Sequence, residues 1–466
     1  MSGDGSTGRL RWRVAALTGA LALVTSLPVP VAGNGDGSGG PAVAHRADGR
    51  TVTGAAALRA APDARMFRLG HGAGEPTLGI TAKGEIFVTA SDGCVTSCPG
   101  STEAVSTVAP GGRAVYSTSD EGKTWVDVTP KAGDEVPTHV LTLDPYVYVD
   151  EATSRVFDID LTVVCSILSF SDDAGDSWIS NPLACGEPVN DHQTVFAGPP
   201  VKSPTVGYEN ILYYCFNHPG FTKCSKSLDG GITFVPTANI SPPDCSGLNG
   251  HGVAGRDGTI YVPMASSCGA PTLAISRDEA DTWETVRVAP MGAAGGDPSV
   301  AIDRQGNLYY LFVEAGTRLP HLTVSTDGGK RWSDPIMVGA PGVEAANLAT
   351  LDVGDAGNVA IAYYGTTGGG TWNGYLSIGR GVLGGSPFFY SGPINDPAEP
   401  LKVGECGPGR CGRVLDFIDV EIAPNGRAWG SYVDACQKEC EATGVESIAD
   451  NEGIVGTFGA ASASAD

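Results

Sequence analysis

Apolar and polar positions along this chain repeat one arrangement: a short buried strand, a polar turn containing glycine, then a second strand rich in Tyr, Phe and Val. EPTLGITAKGEIFVTA from Glu75 and DPSVAIDRQGNLYYLF from Asp297 carry it most plainly, and their second strands are expected to alternate between buried and exposed positions. Equivalent starts at His139, Asp191, His251, Asn347 and Asp416 bring the number to seven. Five of these strand pairs are followed by an eight-residue unit, Ser/Thr-x-Asp-x-Gly-x-x-aromatic. It spans residues 118–125 (TSDEGKTW), 171–178 (SDDAGDSW), 227–234 (SLDGGITF), 276–283 (SRDEADTW) and 325–332 (STDGGKRW). Its acids Asp120, Asp173, Asp229, Asp278 and Asp327 are spaced by 53, 56, 49 and 49 residues.

The unit specifies a hairpin tip: Asp accepts hydrogen bonds from turn amides, Gly takes a left-handed conformation, and the aromatic ring packs back beneath the turn. Ala280 occupies the glycine position of the fourth copy, so that turn is expected to be strained or reshaped. Repeats of this length flanked by strands predict the blades of a β-propeller. The expected fold is therefore all-β: seven four-stranded blades, or six if one start is spurious, with the Asp turns between third and fourth strands. The last segment is short of an outer strand, and residues 66–69 are the expected donor that closes the ring.

Composition supports a turn-rich β protein: of 466 residues, 66 are Gly and 32 Pro, and only 17% are charged. The formal charge of -23 argues against nucleic acid and anionic membranes as partners. Arg9, Arg11 and Arg13 precede an apolar run over residues 14–27, the pattern of a secretory signal. The expected organisation is a signal peptide over 1–33, a flexible linker over 34–64, the propeller over 65–460 and a disordered tail over 461–466, forming a secreted monomer. Export also gives meaning to the twelve cysteines, which form six sequential pairs: Cys94/Cys98, Cys165/Cys185, Cys215/Cys224, Cys245/Cys268, Cys406/Cys411 and Cys436/Cys440. They are expected as local disulfides on the face opposite the Asp turns.

Inner strands of a propeller converge on its axis, so the polar residues at their starts should meet at the channel mouth. These are Glu75, His139, Asp191, His192, His251, Asp297, Asn347, Asp416 and Asp419. Carboxylates beside imidazoles are the material of glycosidic acid–base chemistry, with Glu75, Asp191, Asp297 and Asp416 as candidate catalytic groups. The same residue types suit a divalent metal, although no cofactor is required. Strand-initial Asp and Asn also serve simply to satisfy neighbouring backbone amides.

The five Asp turns resemble those of the Asp-box propellers, also called bacterial neuraminidase repeats. A narrower resemblance is to secreted bacterial proteins of the sialidase-like, or exo-sialidase, family. It rests on Gly74-Glu75-Pro76, Asp191-His192-Gln193-Thr194, Tyr213-Tyr214-Cys215, Gly250-His251, Gly296-Asp297-Pro298-Ser299 and Leu415-Asp416-Phe417-Ile418-Asp419. The resemblance implies a glycoside hydrolase, or alternatively a non-catalytic glycan- or protein-binding propeller, with carbohydrate as partner. A sialidase would further need an arginine triad for the substrate carboxylate. Arg68 and Arg413 are the candidates, although residues 67–70 (FRLG) lack the proline of the family's arginine signature. His139, His192, His251 and Asn347 complete the expected substrate-binding set.

Overall fold

The computed structural model describes residues 30–31, 39–47, 49–52, 64–69, 74–91, 113–132, 136–137, 144–161, 165–184, 188–218, 220–240, 249–264, 269–407, 409–412, 414–435 and 451–459. Apart from one two-stranded ribbon, the strands form seven antiparallel sheets of four or five strands, the blades of a β-propeller. Blade 1 runs outward from the axis through Thr77–Ile80, Ile86–Ser91, Arg113–Thr118 and Trp125–Asp127. The inner strands of blades 2 to 7 are Pro145–Val149, Asp191–Gly198, Val253–Ala254, Ser299–Ile302, Ala345–Val353 and Asp419–Ile422. No helix among the described residues is long and apolar enough to cross a membrane.

The ring closes as expected. Ala64–Arg68 pairs antiparallel with Glu452–Phe458 and supplies the outermost strand of blade 7. Two further N-terminal segments sit on outer edges: Pro30–Val31 against blade 1 and Val43–Arg46 against Phe388–Pro393 of blade 6. The second of these lies within the stretch expected as a linker over 34–64. The ladder offered by an open edge strand outweighs the Gly-rich composition on either side of residues 43–46.

Second strands depart from the expected alternation. Ile211–His218, Leu308–Val313 and Val359–Thr366 are buried over nearly their whole length, because a blade is covered by a neighbour on each face. The consecutive pairs Tyr213/Tyr214, Tyr309/Tyr310 and Tyr363/Tyr364 are therefore among the largest fully buried side chains, each ring worth roughly 2 kcal/mol from its apolar area alone. Several of their hydroxyls stitch blades together. Tyr309 Oη accepts the amide of Gly357 from blade 6, and Tyr364 Oη donates to the Val433 carbonyl of blade 7.

The Asp turns form as the sequence predicts. In blade 3, Ser227 Oγ donates to Asp229 and accepts the Gly231 amide, while Asp229 accepts both the amide and hydroxyl of Thr233. The same contacts recur around Asp120, Asp173 and Asp278, and at Asp327 the Arg331 guanidinium replaces the hydroxyl. The ring of Trp125 is buried, while Trp178, Phe234, Trp283 and Trp332 are partly buried against their blades' cores. The fourth turn keeps this shape although Glu279 and Ala280 sit at φ 60° and 65°, so it is strained rather than reshaped. Glu279 explains why it holds: its carboxylate accepts the amides of Val201, Lys202 and Ser203. Burial alone would raise its pKa, yet the Ser203 hydroxyl and these amides hold it down to about 2.

Two of the expected disulfides are seen in full: Cys406–Cys411, in the loop ahead of blade 7 on the face away from the Asp turns, and Cys215–Cys224, which joins the middle of the second and third strands of blade 3 instead of rimming that face. Cys165 is also disulfide-bonded. Cys94, Cys98, Cys185, Cys245, Cys268, Cys436 and Cys440 lie outside the described residues.

Candidate functional site

Neighbouring inner strands are tied to one another by side-chain oxygens that accept the next blade's amides. Thr77 takes Val147, Thr194 takes Gly252, Ser299 takes Leu351, Asp352 takes Ile422 and Asp419 takes Leu78. Asp419 is thus a structural acceptor, as strand-initial Asp residues often are. Burial raises both Asp352 and Asp419 to about 7.

At the mouth itself, five of the seven blades enter through a residue at positive φ: Glu75 (54°), His192 (51°), Gly296 (104°), Leu348 (52°) and Leu415 (63°). Each of the four non-glycine residues costs of order 1–3 kcal/mol, and such strain persists only where surrounding contacts over-determine it. Register shifts at Asp191/Thr194 and Asn347/Thr350 accompany it. A bulge at a strand start re-aims the side chain it carries.

His192 is the hub. Its Nε2 contacts Asp297 Oδ2, and its Nδ1 lies 3.7 Å from Asp416 Oδ2, so one imidazole spans carboxylates from blades 5 and 7. Burial opposes charge on the ring, but Asp297, Asp416 and Asp144 together raise its pKa well above the ordinary value. Burial raises Asp297 as well, partly offset by the His192 cation. The Arg410 guanidinium pairs with Asp416 Oδ1, and Asp297 Oδ1 is buried without a protein partner. The ring of Phe417 packs edge-on against His192 and His251, which also meets Tyr146, and these rings crowd the mouth. His251, half-buried among rings, loses solvation and is repelled by His192, which lowers it to about 3.

A pocket of about 380 Å³ opens beside this hub, lined by Gly295, Gly296 and Asp297 ahead of blade 5 and by Gly407, Gly409, Arg410 and Asp416 ahead of blade 7. The Cys406–Cys411 disulfide closes the loop that carries Arg410. A Cβ on Gly409 would lie 2.1 Å from the carbonyl carbon of Gly295, so only glycine lets this loop close against the approach to blade 5.

The expected residues divide accordingly. Asp297 and Asp416 line the pocket, and His192 stands behind them. Glu75, 2% exposed, lies beneath this layer with Asp144. Asp191 is exposed at the start of blade 3. Asn347 is buried and reaches Gly407 O and Cys411 Sγ, so it supports the disulfide loop. Arg68 stands on the outer strand of blade 7 rather than ahead of an inner one, where Glu452 and Asp434 hold its guanidinium. Arg413 and His139 lie outside the described residues.

The inner strand of blade 2 begins at Pro145, with Asp144 before it, so the start expected at His139 is misplaced. A readable signal was present: Glu75-Pro76, Asp144-Pro145 and Asp297-Pro298 are the same acid–proline entry. Arg410 and the ring of Phe417 were missed without such a signal. Among the described residues no three ligating side chains converge as a metal would require.

No family model and no curated protein matches the chain in sequence. Solved structures do resemble it in fold. A protein of unknown function from Dyadobacter fermentans is 14% identical with a TM-score of 0.43, over 84% of this chain and 95% of that one. A xyloglucanase from Xanthomonas campestris is 16% identical with a TM-score of 0.44, over 67% of this chain and 45% of that one. The NanB sialidase from Streptococcus pneumoniae is 12% identical with a TM-score of 0.42, over 82% and 68%.

Proposed function

We propose that this chain is a secreted, carbohydrate-active propeller that hydrolyses glycosidic bonds in extracellular glycans at the channel mouth, with Asp297 and Asp416 as its two reacting carboxyl groups. The observation that carries this reading is a pair of carboxyl groups on one pocket wall, bridged from behind by a single buried imidazole. Their environments differ in the sense such chemistry needs. Burial raises the proton affinity of Asp297, and the proton held between it and His192 Nε2 is the one that Asp297, as general acid, passes to the glycosidic oxygen as its bond to the anomeric carbon breaks. Asp416, paired with Arg410, is the carboxylate that draws a proton from water as the water oxygen bonds to that carbon. Water supplies hydroxyl to the sugar and hydrogen to the leaving group, so the reaction balances without a cofactor.

A neutral sugar fits better than a sialoside. Arg410 is the guanidinium among the described pocket-lining residues and is already engaged by Asp416, whereas Arg68 is held on an outer strand. A non-catalytic glycan-binding module is the second reading, favoured by that same Arg410–Asp416 pair, which ties up the proposed base.

The test is a panel of neutral aryl glycosides, a sialoside-release assay and a glycan array, run on wild type, Asp297→Asn and Asp416→Asn. Turnover of a neutral glycoside is expected, with each variant slowed roughly 10²–10⁴-fold. Binding without turnover establishes the second reading. Silence in all three assays sinks both.

A further inference from the structure

Beneath the pocket wall lie two carboxyl groups that the hydrolytic reading does not use. Glu75 precedes the inner strand of blade 1 and Asp144 that of blade 2, and both are buried. Glu75 Oε1 accepts the backbone amide of Asp416 at 3.1 Å, and Asp144 Oδ2 accepts that of His192 at 3.0 Å. Each carboxyl thus grips the main chain of one residue that builds the site, at the points where His192 and Leu415 hold the backbone at positive φ. The second oxygen of Glu75 is buried without a hydrogen-bond partner among the described residues, and the Asp144 carboxyl is the neighbouring acid. Two carboxylates in contact repel, so the arrangement holds only with a proton between them.

We propose that Glu75 and Asp144 form a positioning dyad that shares one proton and, while it does so, fixes the backbone amides of Asp416 and His192 at the strained Leu415 and His192. The inference rests on the reading of Asp297, Asp416 and His192 as the working groups. The groups facing the dyad are Asp416 and His192 beside Glu75, and Asp191 and His192 beside Asp144. Burial first, then the mutual repulsion of Glu75, Asp144 and Asp416, raises Glu75 well above the usual carboxylate range, and burial raises Asp144 as well. The sign follows. The dyad keeps its proton at low pH and loses it as pH rises through the raised value, and the two carboxylates then separate and release the amides they hold.

The consequence is a site that comes apart on the alkaline side for a reason outside the reacting groups. Glu75→Gln tests it, because the amide nitrogen donates to Asp144 while Oε1 still accepts from Asp416, and this bridge cannot titrate. Asp144→Asn does the same from the other side. Glu75→Ala removes the grip.

The readout is the imidazole resonance of His192 followed by NMR across pH, alongside kcat and KM on whichever glycoside is turned over. In wild type the resonance is expected to step at alkaline pH together with a fall in kcat. Both changes should move to higher pH or vanish in Glu75→Gln and Asp144→Asn. Glu75→Ala should lower kcat roughly a hundredfold, the scale of a 1 Å misplacement, with a small change in KM. If Glu75→Gln abolishes turnover while the His192 resonance stays as in wild type, Glu75 is a reacting acid and the dyad is overturned. An alkaline step identical in wild type and both amide variants overturns it too. The resonance is read without substrate, so failure to turn over any glycoside strikes the hydrolytic reading and leaves the dyad to be judged by NMR.

Discussion

The two faces of this propeller use the same acidic side chain in opposite ways. On the turn face, Asp120, Asp173, Asp229, Asp278 and Asp327 stand at hairpin tips, where the amide four residues on, with its residue's hydroxyl or at Asp327 its guanidinium, converges on each carboxylate. Those donors hold every one of them below the ordinary Asp value, Asp327 to about 2 through Arg331. At the mouth, Glu75, Asp144 and Asp297 are buried against other acids, and burial raises all three. A carboxyl surrounded by donors prefers to be charged, and one buried beside other acids prefers its proton. The first kind makes a staple; the second favours a proton held at the channel mouth.

The sharpest way to break this comparison is to remove its hub. His192→Ala leaves Asp297 and Asp416 facing each other without the cation between them. It should cost about 3 kcal/mol or more, as losing one partner of a buried pair does. Urea denaturation measures it, and an unchanged midpoint would mean that the imidazole does not hold the mouth together.

On the opposite face, Ser227→Ala removes a buried hydroxyl that both donates to Asp229 and accepts the Gly231 amide. A loss of about 1–3 kcal/mol is expected with ligand affinity at the mouth unchanged. A drop in affinity at constant stability would place the Asp turns in the site after all.

Acid and alkali should then act on different faces. The mouth carboxyls have raised folded values, so their contribution is complete below the ordinary carboxylate range and is lost as pH rises. The turn carboxyls have lowered values, so theirs is present above the ordinary Asp range and is lost as pH falls towards about 2 at Asp327. Amide hydrogen exchange across pH should show the turn amides opening first in acid and the His192 and Asp416 amides first in alkali. The reverse order would refute the assignment.

The smallest effect is expected at the strained fourth turn. Ala280→Gly relieves a left-handed conformation worth roughly 1–2 kcal/mol but gives up a buried methyl worth about 0.8 kcal/mol. A net gain below about 1 kcal/mol should appear as a small rise in Tm. A fall would show that packing of the methyl outweighs the strain.

The amino-acid sequence by itself determined the repeating architecture. Strand, turn and Asp box are each specified by residues within a few positions of one another, so seven blades, the turn chemistry and a closing strand, expected over residues 66–69 and found over Ala64–Arg68, were legible. Even the second strands, expected to alternate, failed only because a blade is covered on both faces, which is a property of its neighbours.

The mouth was legible as a set of residue types but not as an arrangement. Asp297 reaches His192 across 105 residues, and Glu75 reaches the Asp416 amide across 341. No local signal states which of nine strand-initial polar residues meet, which one is left exposed as Asp191 is, or that Arg410 reaches Asp416 from a disulfide-closed loop. Hydrogen bonds inside an eight-residue turn are set by the chain's own geometry. The direction in which a buried carboxyl's proton affinity moves is set by whatever the other blades bring beside it, and only the closed ring decides that.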